Sequence, residues 1–514
     1  MRRRVVLASL AGGVAGLSGC SFGTDETDTS TTPGAQTDAR TDQPDGTADR
    51  SPTPEDTDTP DEPDPPAEWT RVIDLETGAR TVVLDPTRVV TDDGAAIALW
   101  FDRTATPDHP ARITGWLENT NDFENTFRID EIPVVGGTTA RRREPGDGEP
   151  LTVVPTERNE IATGVPNVSR GEKGYWHVAD RDSWMPETHR LEPAEFVALE
   201  YVLVGKPGSP SWETGIYEFP DHGTSVELRV WNTDAPGPNG TSRFAGRSLP
   251  PLDDEAGSTW YHEADRPTPV YVEPARERVE LDGRIDVAVV NHSREGVGCG
   301  HWNLYKLVEG EWFHVGPQTH QADCRTLAPG DRKPWTLRAF NGEAVPCDGE
   351  ASCADGLTRG YLGGGEYAIV AGYGEPGGPE RESAALLTLV GDRAPVVVTD
   401  DARTERAGDR VIVVTDRYDD GEPPTDSTLT LTRAETATDR LLAEQVMATE
   451  TLLDRPNALR NALAAMTADV DRVVVRTGKL AIDQALGVQV EQDSTRRFRF
   501  RGQAYEARRG NPDD

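Results

Sequence analysis

Arg112-Ile113-Thr114-Gly115-Trp116-Leu117-Glu118-Asn119 and Arg284-Ile285-Asp286-Val287-Ala288-Val289-Val290-Asn291 open on the same Arg-Ile pair and close on asparagine seven residues later. Each reads as a strand, and each is followed by further matching elements. Leu191-Glu192-Pro193 precedes a strand around Phe196 to Leu203, and Leu327-Ala328-Pro329 precedes one around Trp335 to Phe340. Gly215-Ile216-Tyr217-Glu218-Phe219 matches Gly365-Glu366-Tyr367-Ala368-Ile369, and a final strand follows each, Val226 to Trp231 and Ala384 to Val390. Matched elements in one order, at unequal spacing, indicate an internal repeat with loops of different length.

The residues around these anchors carry the two-residue period of half-buried strands. Ala95-Ile97-Leu99-Phe101 alternates with its neighbours, as do Phe196-Ala198 and Tyr201-Leu203, and clusters of Gly, Pro, Asn and Asp punctuate the runs. Glu76-Thr77-Gly78-Ala79 reads as a hairpin turn between Val72–Leu75 and Thr81–Leu84. Val308-Glu309-Gly310-Glu311 reads as another, between Trp302–Leu307 and Trp312–Val315. The tryptophans of this second hairpin and Tyr305 are expected in a core; an exposed sugar-stacking platform is the alternative. The pattern from Trp69 to Val390 is similar to the immunoglobulin-like sandwiches of microbial surface proteins, which implies a fold class and no activity.

The N-terminus sets the expected compartment. Arg2, Arg3 and Arg4 precede an apolar run from Val5 to Leu17, too short for the roughly 20 residues that cross a bilayer. The run ends in Leu17-Ser18-Gly19-Cys20, where small residues admit a peptidase and Cys20 offers a thiol to lipid. The arginines with Val5 and Val6 resemble a twin-arginine export signal, without its usual preceding Ser or Thr and following aromatic. Leu17 to Cys20 resembles a lipobox. The resemblance implies a mature protein moored to the membrane through lipid on Cys20 and facing outward, with two lipid chains needed for stable anchoring. Residues 21–68 follow with 14 acidic and two basic residues and almost no large apolar side chain. They are expected to be a disordered, extended tether.

Net charge is −36, of which −27 falls beyond the tether. Lysine occurs only at 173, 206, 306, 333 and 479, so arginine supplies nearly all positive charge. Self-repulsion on this scale is screened at molar salt, where the Debye length is about 3 Å. The composition resembles proteins of salt-loving archaea. Nucleic acid is excluded as a partner, because no basic face neutralises phosphates.

Four cysteines remain after Cys20: Cys299, Cys324, Cys347 and Cys353. An even set outside the cell suggests disulfides. If the second sandwich runs B, C, C′, E, F, the loops holding Cys299 and Cys324 share one end, and Cys347 and Cys353 share the E–F loop at the other. The rival is a metal site among Cys299, His301, His314, His320 and Cys324, whose spacing matches no tight ligand pattern, so no metal is assigned. The acidic runs Asp253-Asp254-Glu255 and Asp419-Asp420-Gly421-Glu422 lack calcium-loop spacing. Asn167, Asn239 and Asn291 open N-glycosylation sequons.

Beyond Asp400 the texture changes to α+β. Strands are expected at Val411–Thr415, Leu429–Thr432 and Val473–Val475. Helices are expected at Thr438–Leu453, from Pro456 through Leu459, Leu463 and Met466, and at Leu480–Leu486 before Gly487. Arg496, Arg497, Arg499, Arg501, Arg508 and Arg509 form a candidate patch for an anionic partner; the alternative is a solvated face balanced by nearby carboxylates. The full reading is a mainly β chain: a signal at 1–20, a tether at 21–68, sandwiches at 69–262 and 263–398, and a small α+β domain at 399–514.

No nucleophile elbow, zinc-protease motif, phosphate loop or dinucleotide fingerprint occurs in suitable context, and no cofactor is implied. Gly363-Gly364-Gly365 precedes a strand and reads as a turn. The leading expectation is a non-enzymatic, lipid-anchored surface protein that binds or scaffolds an envelope protein or glycan. Carbohydrate recognition through exposed aromatics and a hydrolase with an unfamiliar site are the alternatives. Peptide mapping without reduction is expected to show Cys299 joined to Cys324 and Cys347 to Cys353; Cys324 joined to Cys347 would refute the pairing.

Overall fold

The computed structural model describes residues 66–143, 148–178, 183–206, 212–220, 225–252, 257–318, 320, 326–345, 356–374, 380–418, 426–447, 458–487 and 495–510, with backbone alone at 299 and 380. The signal, nearly all of the tether, Cys324, Cys347, Cys353, Pro456 and both acidic runs lie outside the described residues.

Alternating apolar residues build the first sandwich as one sheet folded on itself. Arg88–Val90, Ala95–Arg103, Ala111–Asn119, Phe196–Gly205 and Leu151–Pro155 lie side by side on one half. Val72–Asp74, Arg80–Asp85, Glu227–Asn232 and Gly215–Glu218 form the other. Thr139–Arg142 pairs with both halves and joins them. At the opposite edge the backbones of Thr70 and Phe101 exchange two 2.8 Å hydrogen bonds. Ile97, Leu99, Phe101, Ile113, Leu117, Tyr201, Leu203, Tyr217 and Leu228 fill the space between.

The second sandwich has two separate sheets. Val270–Pro274, Gly283–Asn291, Arg332–Ala339 and Gly356–Arg359 form one. Glu380–Val390, Gly365–Gly374, Val297–Val308 and Glu311–Gly316 form the centre of the other. Arg278–Glu280 adds in parallel to Glu380–Val390. This is the immunoglobulin-like arrangement of A-B-E against A′-G-F-C-C′. Trp302 stacks on Trp335 at 5.2 Å inside it, as expected for a core residue. The expected hairpin is present, with Glu309 and Gly310 at positive φ and Val308 opposite Glu311.

The repeat is visible atom by atom. Asn119 and Asn291 are fully buried. Asn119 Nδ2 donates to the carbonyls of Phe123 (2.9 Å), Leu191 (3.1 Å) and Glu192 (3.2 Å). Asn291 Nδ2 donates to those of Glu295 (2.9 Å), Leu327 (2.9 Å) and Ala328 (3.2 Å). Each amide oxygen accepts the backbone N–H two residues on, from Asn121 or Ser293, at 3.0 Å. The later tyrosines match as well. Tyr217 Oη donates to Glu213 O at 3.0 Å and Tyr367 Oη to Gly363 O at 2.6 Å, each four residues upstream, in the manner of a tyrosine corner.

Three boundaries differ from expectation. Ser258–Trp260, assigned to the first sandwich by the 262 boundary, pairs in parallel with Glu382–Ala384 of the second. Phe244, Leu249, Leu252 and Trp260 cover the outer face of that sheet, so the first module ends near Asn232. Cys299 sits within a strand, opposite Tyr373, rather than in a loop. Asp439–Leu441, expected to begin a helix, pairs with Phe498–Phe500, and the helix starts at Ala443. A free sheet edge outweighed weak helical periodicity there.

The C-terminal domain is a seven-stranded sheet ordered Ala402–Ala407, Arg410–Thr415, Arg472–Gly478, Asp426–Arg433, Gln503–Gly510, Thr495–Phe500, Asp439–Leu441. Helices Ala458–Ala465 and Lys479–Leu486 cover one face through Leu459, Leu463, Ile482 and Leu486. Gly487 ends the second helix at φ +71, as its position predicts.

The proline turn after each asparagine latch needs a left-handed third residue. That residue is Ala194 (φ 56) in the first copy and Gly330 (φ 72) in the second. The second turn docks on another module: a Cβ on Gly330 would lie 2.8 Å from Arg229 Cβ and from the Trp231 ring. A left-handed alanine costs about 1–2 kcal/mol, partly offset by the chain entropy that glycine adds to the unfolded state. Ala194→Gly is therefore expected to raise the unfolding free energy by about 0.5–1 kcal/mol. Gly330→Ala should lower it by more than about 1 kcal/mol. Urea midpoints of the two variants check both signs.

Candidate functional site

The residues singled out in the sequence separate into those the fold consumes and those it leaves available. Asn291 belongs to the first group and is corrected as a glycosylation acceptor, because its amide nitrogen is buried and fully hydrogen-bonded. Asn167 and Asn239 are exposed. The chain-distant histidines do converge: His301 and His320 stack at 4.4 Å, and the Nε2 atoms of His314 and His320 lie 3.2 and 3.0 Å from Asn303 Oδ1. Among the described residues, no group of three His, Cys, Asp or Glu side chains could hold a metal ion. No helix among them is long and apolar enough to cross a membrane.

Aromatic surfaces are largely closed. Trp312 stacks on Trp260 at 5.6 Å, and its Nε1 donates to Pro250 O at 2.9 Å. On the first module Trp69 lies over Trp100 and Trp116 (5.8 and 6.3 Å), both of which are buried. A cleft of about 140 Å³ beside them is lined by Arg88, Val89, Val90, Ala96, Ile97, Ala98 and Trp116. This cluster packs indole on indole rather than displaying a flat ring to solvent.

The arginine patch read from 496–509 is not one surface. Arg496 faces the helices, where its Nη1 donates to Ala485 O at 3.0 Å, and burial lowers its pKa. Arg501 reaches Ala394 O at 2.5 Å and Arg499 reaches Ala437 O at 3.1 Å. Arg497 pairs with Glu506 at 2.6 Å, and Arg509 pairs with Asp483. Of the six, Arg508 makes no side-chain ion pair or hydrogen bond among the described residues.

Arg508 instead joins arginines that the linear sequence does not bring near it. Val411, Val413, Leu429, Leu431, Val473 and Val475 point toward the helices. Alternation places their neighbours on the other face. Register aligns that face in rows. Arg410, Arg472 and Thr432 lie side by side, followed by Glu506 and Arg497. The next row is Ile412, Val474, Thr430 and Arg508, and the next is Val414, Arg476, Thr428 and Gly510. Arg410, Arg472, Arg476 and Arg508 have no carboxylate partner among the described residues.

At the centre of the face Thr428 and Thr430 are 1% and 0% exposed, and neither hydroxyl has a hydrogen-bond partner. The same holds for the Nε atoms of Arg410, Arg472 and Arg476. A buried polar atom left unpaired costs about 1–3 kcal/mol. Cationic donors on one sheet face can receive a ligand bearing several acceptor oxygens. Sequence reasoning missed this site because its arginines come from three separate strands. Threonine at 428, 430 and 432 and arginine at 472 and 476 was the available signal.

No family model matches the chain, and no curated protein matches it. Solved structures that partly resemble it include a polysaccharide lyase at 11% identity, with a TM-score of 0.13 over 62% of this chain and 36% of that one. Others are a putative membrane anchored protein from Corynebacterium diphtheriae (9%, TM-score 0.14, 69% and 67%) and a GH2 beta-galacturonidase from Eisenbergiella tayi (11%, TM-score 0.11, 65% and 45%). The chain thus spans about a third of the lyase's length, and superpositions this poor carry no argument about activity.

His314 supplies a pH handle on the second sandwich. Burial, with repulsion from Arg359 and His320, lowers its pKa from 6.5 to about 4. The unfolded chain then binds more protons than the folded one between these values. Its contribution is whole above pH 6.5 and falls as pH drops toward about 4, by up to ~1.4 kcal/mol per unit. His314→Gln is expected to flatten that part of the stability profile, measured by urea unfolding at stepped pH.

Proposed function

We propose that this protein is a lipid-anchored surface arm, held through Cys20 and an acidic spacer, that binds or scaffolds envelope components without catalysis. The observation that supports it is the way the modules are joined. Residues 59–514 form one compact unit, and buried charge sits at each joint.

Between the sandwiches, His292 stacks on Trp231 at 5.6 Å and 4°. Buried Arg229 reaches Asp85 at 3.1 Å, Glu227 at 3.0 Å and Pro329 O at 3.4 Å. Arg294 pairs with Asp74 at 2.7 Å. Between the second sandwich and the C-terminal domain, Lys306 pairs with Glu444. Gly363 N donates to the same carboxylate at 3.1 Å, and Lys306 Nζ donates to Gly364 O at 3.2 Å. Burial, with the Glu444 charge beside it, raises the Tyr367 pKa well above its ordinary value. Arg460 lies 4.4 Å over the Tyr361 ring and donates to Tyr361 Oη at 2.8 Å and Val397 O at 3.0 Å.

Such joints hold modules at fixed angles, because each buried cation is matched to partners at one geometry, and a shift that takes one partner away leaves a buried charge uncompensated. A fixed arm suits presentation of a surface at a distance from a membrane.

Three measurements test the reading. Cys20→Ala is expected to move the protein from the membrane fraction to the medium; retention on membranes would count against the anchor. Lys306→Met should destabilise the folded body by about 3 kcal/mol, whereas Lys306→Met with Glu444→Leu should recover most of the loss. Small-angle scattering of the single variant should show a hinge that the native chain lacks.

A further inference from the structure

We propose that the face of the C-terminal sheet turned away from helices Ala458–Ala465 and Lys479–Leu486 binds a linear carboxylated polysaccharide, with Arg410, Arg472, Arg476 and Arg508 taking its carboxylates. This names a ligand class for the surface arm; it rests on that reading only for where the glycan is met, and binding itself is testable in solution.

Charge gives the first argument. The chain carries 89 acidic residues against 53 basic ones, so arginines without carboxylate partners do not arise from a shortage of acid. Elsewhere the protein pairs its arginines, as in Arg112 with Asp102, Arg229 with Asp85 and Arg332 with Glu273. On this face Arg410 stands directly beside Arg472 on a parallel neighbour. Like charges side by side on a sheet repel one another. An anion between them converts that repulsion into bidentate pairing.

Spacing gives the second. Arg472 and Arg476 are four residues apart on one strand, about 13 Å along it, and Arg508 lies two strands from both. One small anion reaches one focus only. A polymer with repeated carboxylates reaches all of them.

The chemistry of a sheet face gives the third. Backbone N–H and C=O groups of the inner strands are spent on their neighbours, so a peptide laid across the face would find nothing for its own backbone. Peptides join sheets at edges. A glycan offers carboxylates, hydroxyls and C–H surfaces, and the face answers with guanidinium groups and the half-buried side chains of Ile412 and Val414. The acidic surroundings then select against densely charged polymers such as nucleic acids, which the rest of the chain repels.

The test is binding of the purified full chain to immobilised alginate, with dextran as the neutral control and polyglutamate and duplex DNA as competitors. Alginate but not dextran is expected to bind. Arg472→Gln with Arg476→Gln should weaken binding at least about tenfold. Arg508→Gln, at an exposed position that leaves folding intact, should weaken it several-fold, while Arg497→Gln, whose charge is already paired, should change it little. Absence of alginate binding by the folded native chain, equal binding by the arginine variants, or tighter binding of polyglutamate or DNA would each overturn the proposal. Alginate binding by a chain that Cys20→Ala fails to release would uphold this site and reject the anchor.

Discussion

A primary amide has two N–H donors and one oxygen, and in each sandwich one buried asparagine spends all of them at the point where a strand ends. Asn119 and Asn291 each satisfy a local carbonyl and two carbonyls of a distant proline turn. At a strand's end the ladder no longer supplies partners, and each buried carbonyl left unpaired would cost about 1–3 kcal/mol. The turn that answers the asparagine lies 72 residues away in the first copy and 36 in the second. Doubling a loop adds only about 0.6 kcal/mol of closure entropy, so the latch survives a large insertion. The rest of each sandwich follows from it: the turn fixes the start of the next strand, and the tyrosine corner fixes the strand after that.

Where the copies differ, the difference follows from docking. The third position of the proline turn is alanine in the first module and glycine in the second. The same position in the second module meets Arg229 and Trp231, where a methyl group does not fit. Lys306, one of five lysines in the chain, serves the other joint with Glu444. A protein with this much surface acid has placed several of its cations inside the seams between modules. Those seams therefore remain attractive while the surface repels itself, which couples module geometry to charge burial rather than to ionic strength.

The same economy explains the C-terminal face. Helices occupy one side of that sheet and neutralise nothing on the other. Outward positions carry arginine on Arg410–Thr415, Arg472–Gly478 and Gln503–Gly510 and threonine on Asp426–Arg433, so the face gathers cations without described carboxylate partners on an acidic body. Its rows exist only because parallel and antiparallel pairings set Arg410 beside Arg472 and, one row on, Thr430 beside Arg508.

Much of this was legible in the chain. The two-residue alternation fixed the β class. The Arg-Ile to Asn spacing, the Leu-x-Pro turns and the Gly-x-Tyr strands located the repeat, since those residues perform the same local chemistry in both copies. Gly487 and the Leu459–Leu463 spacing placed two helices, because caps and helix faces are local properties. Three things depended on partners distant in sequence. Asn291 reads as a sugar acceptor until the turn at Leu327 consumes its amide. Ser258–Trp260 reads as the end of one domain until the Glu380–Val390 edge takes it into the next. Arg496 to Arg509 read as one patch until strand alternation sends Arg496 inward and joins Arg508 to Arg410, Arg472 and Arg476. Local chemistry sets which segments become strands, and only the register between strands decides which side chains become neighbours.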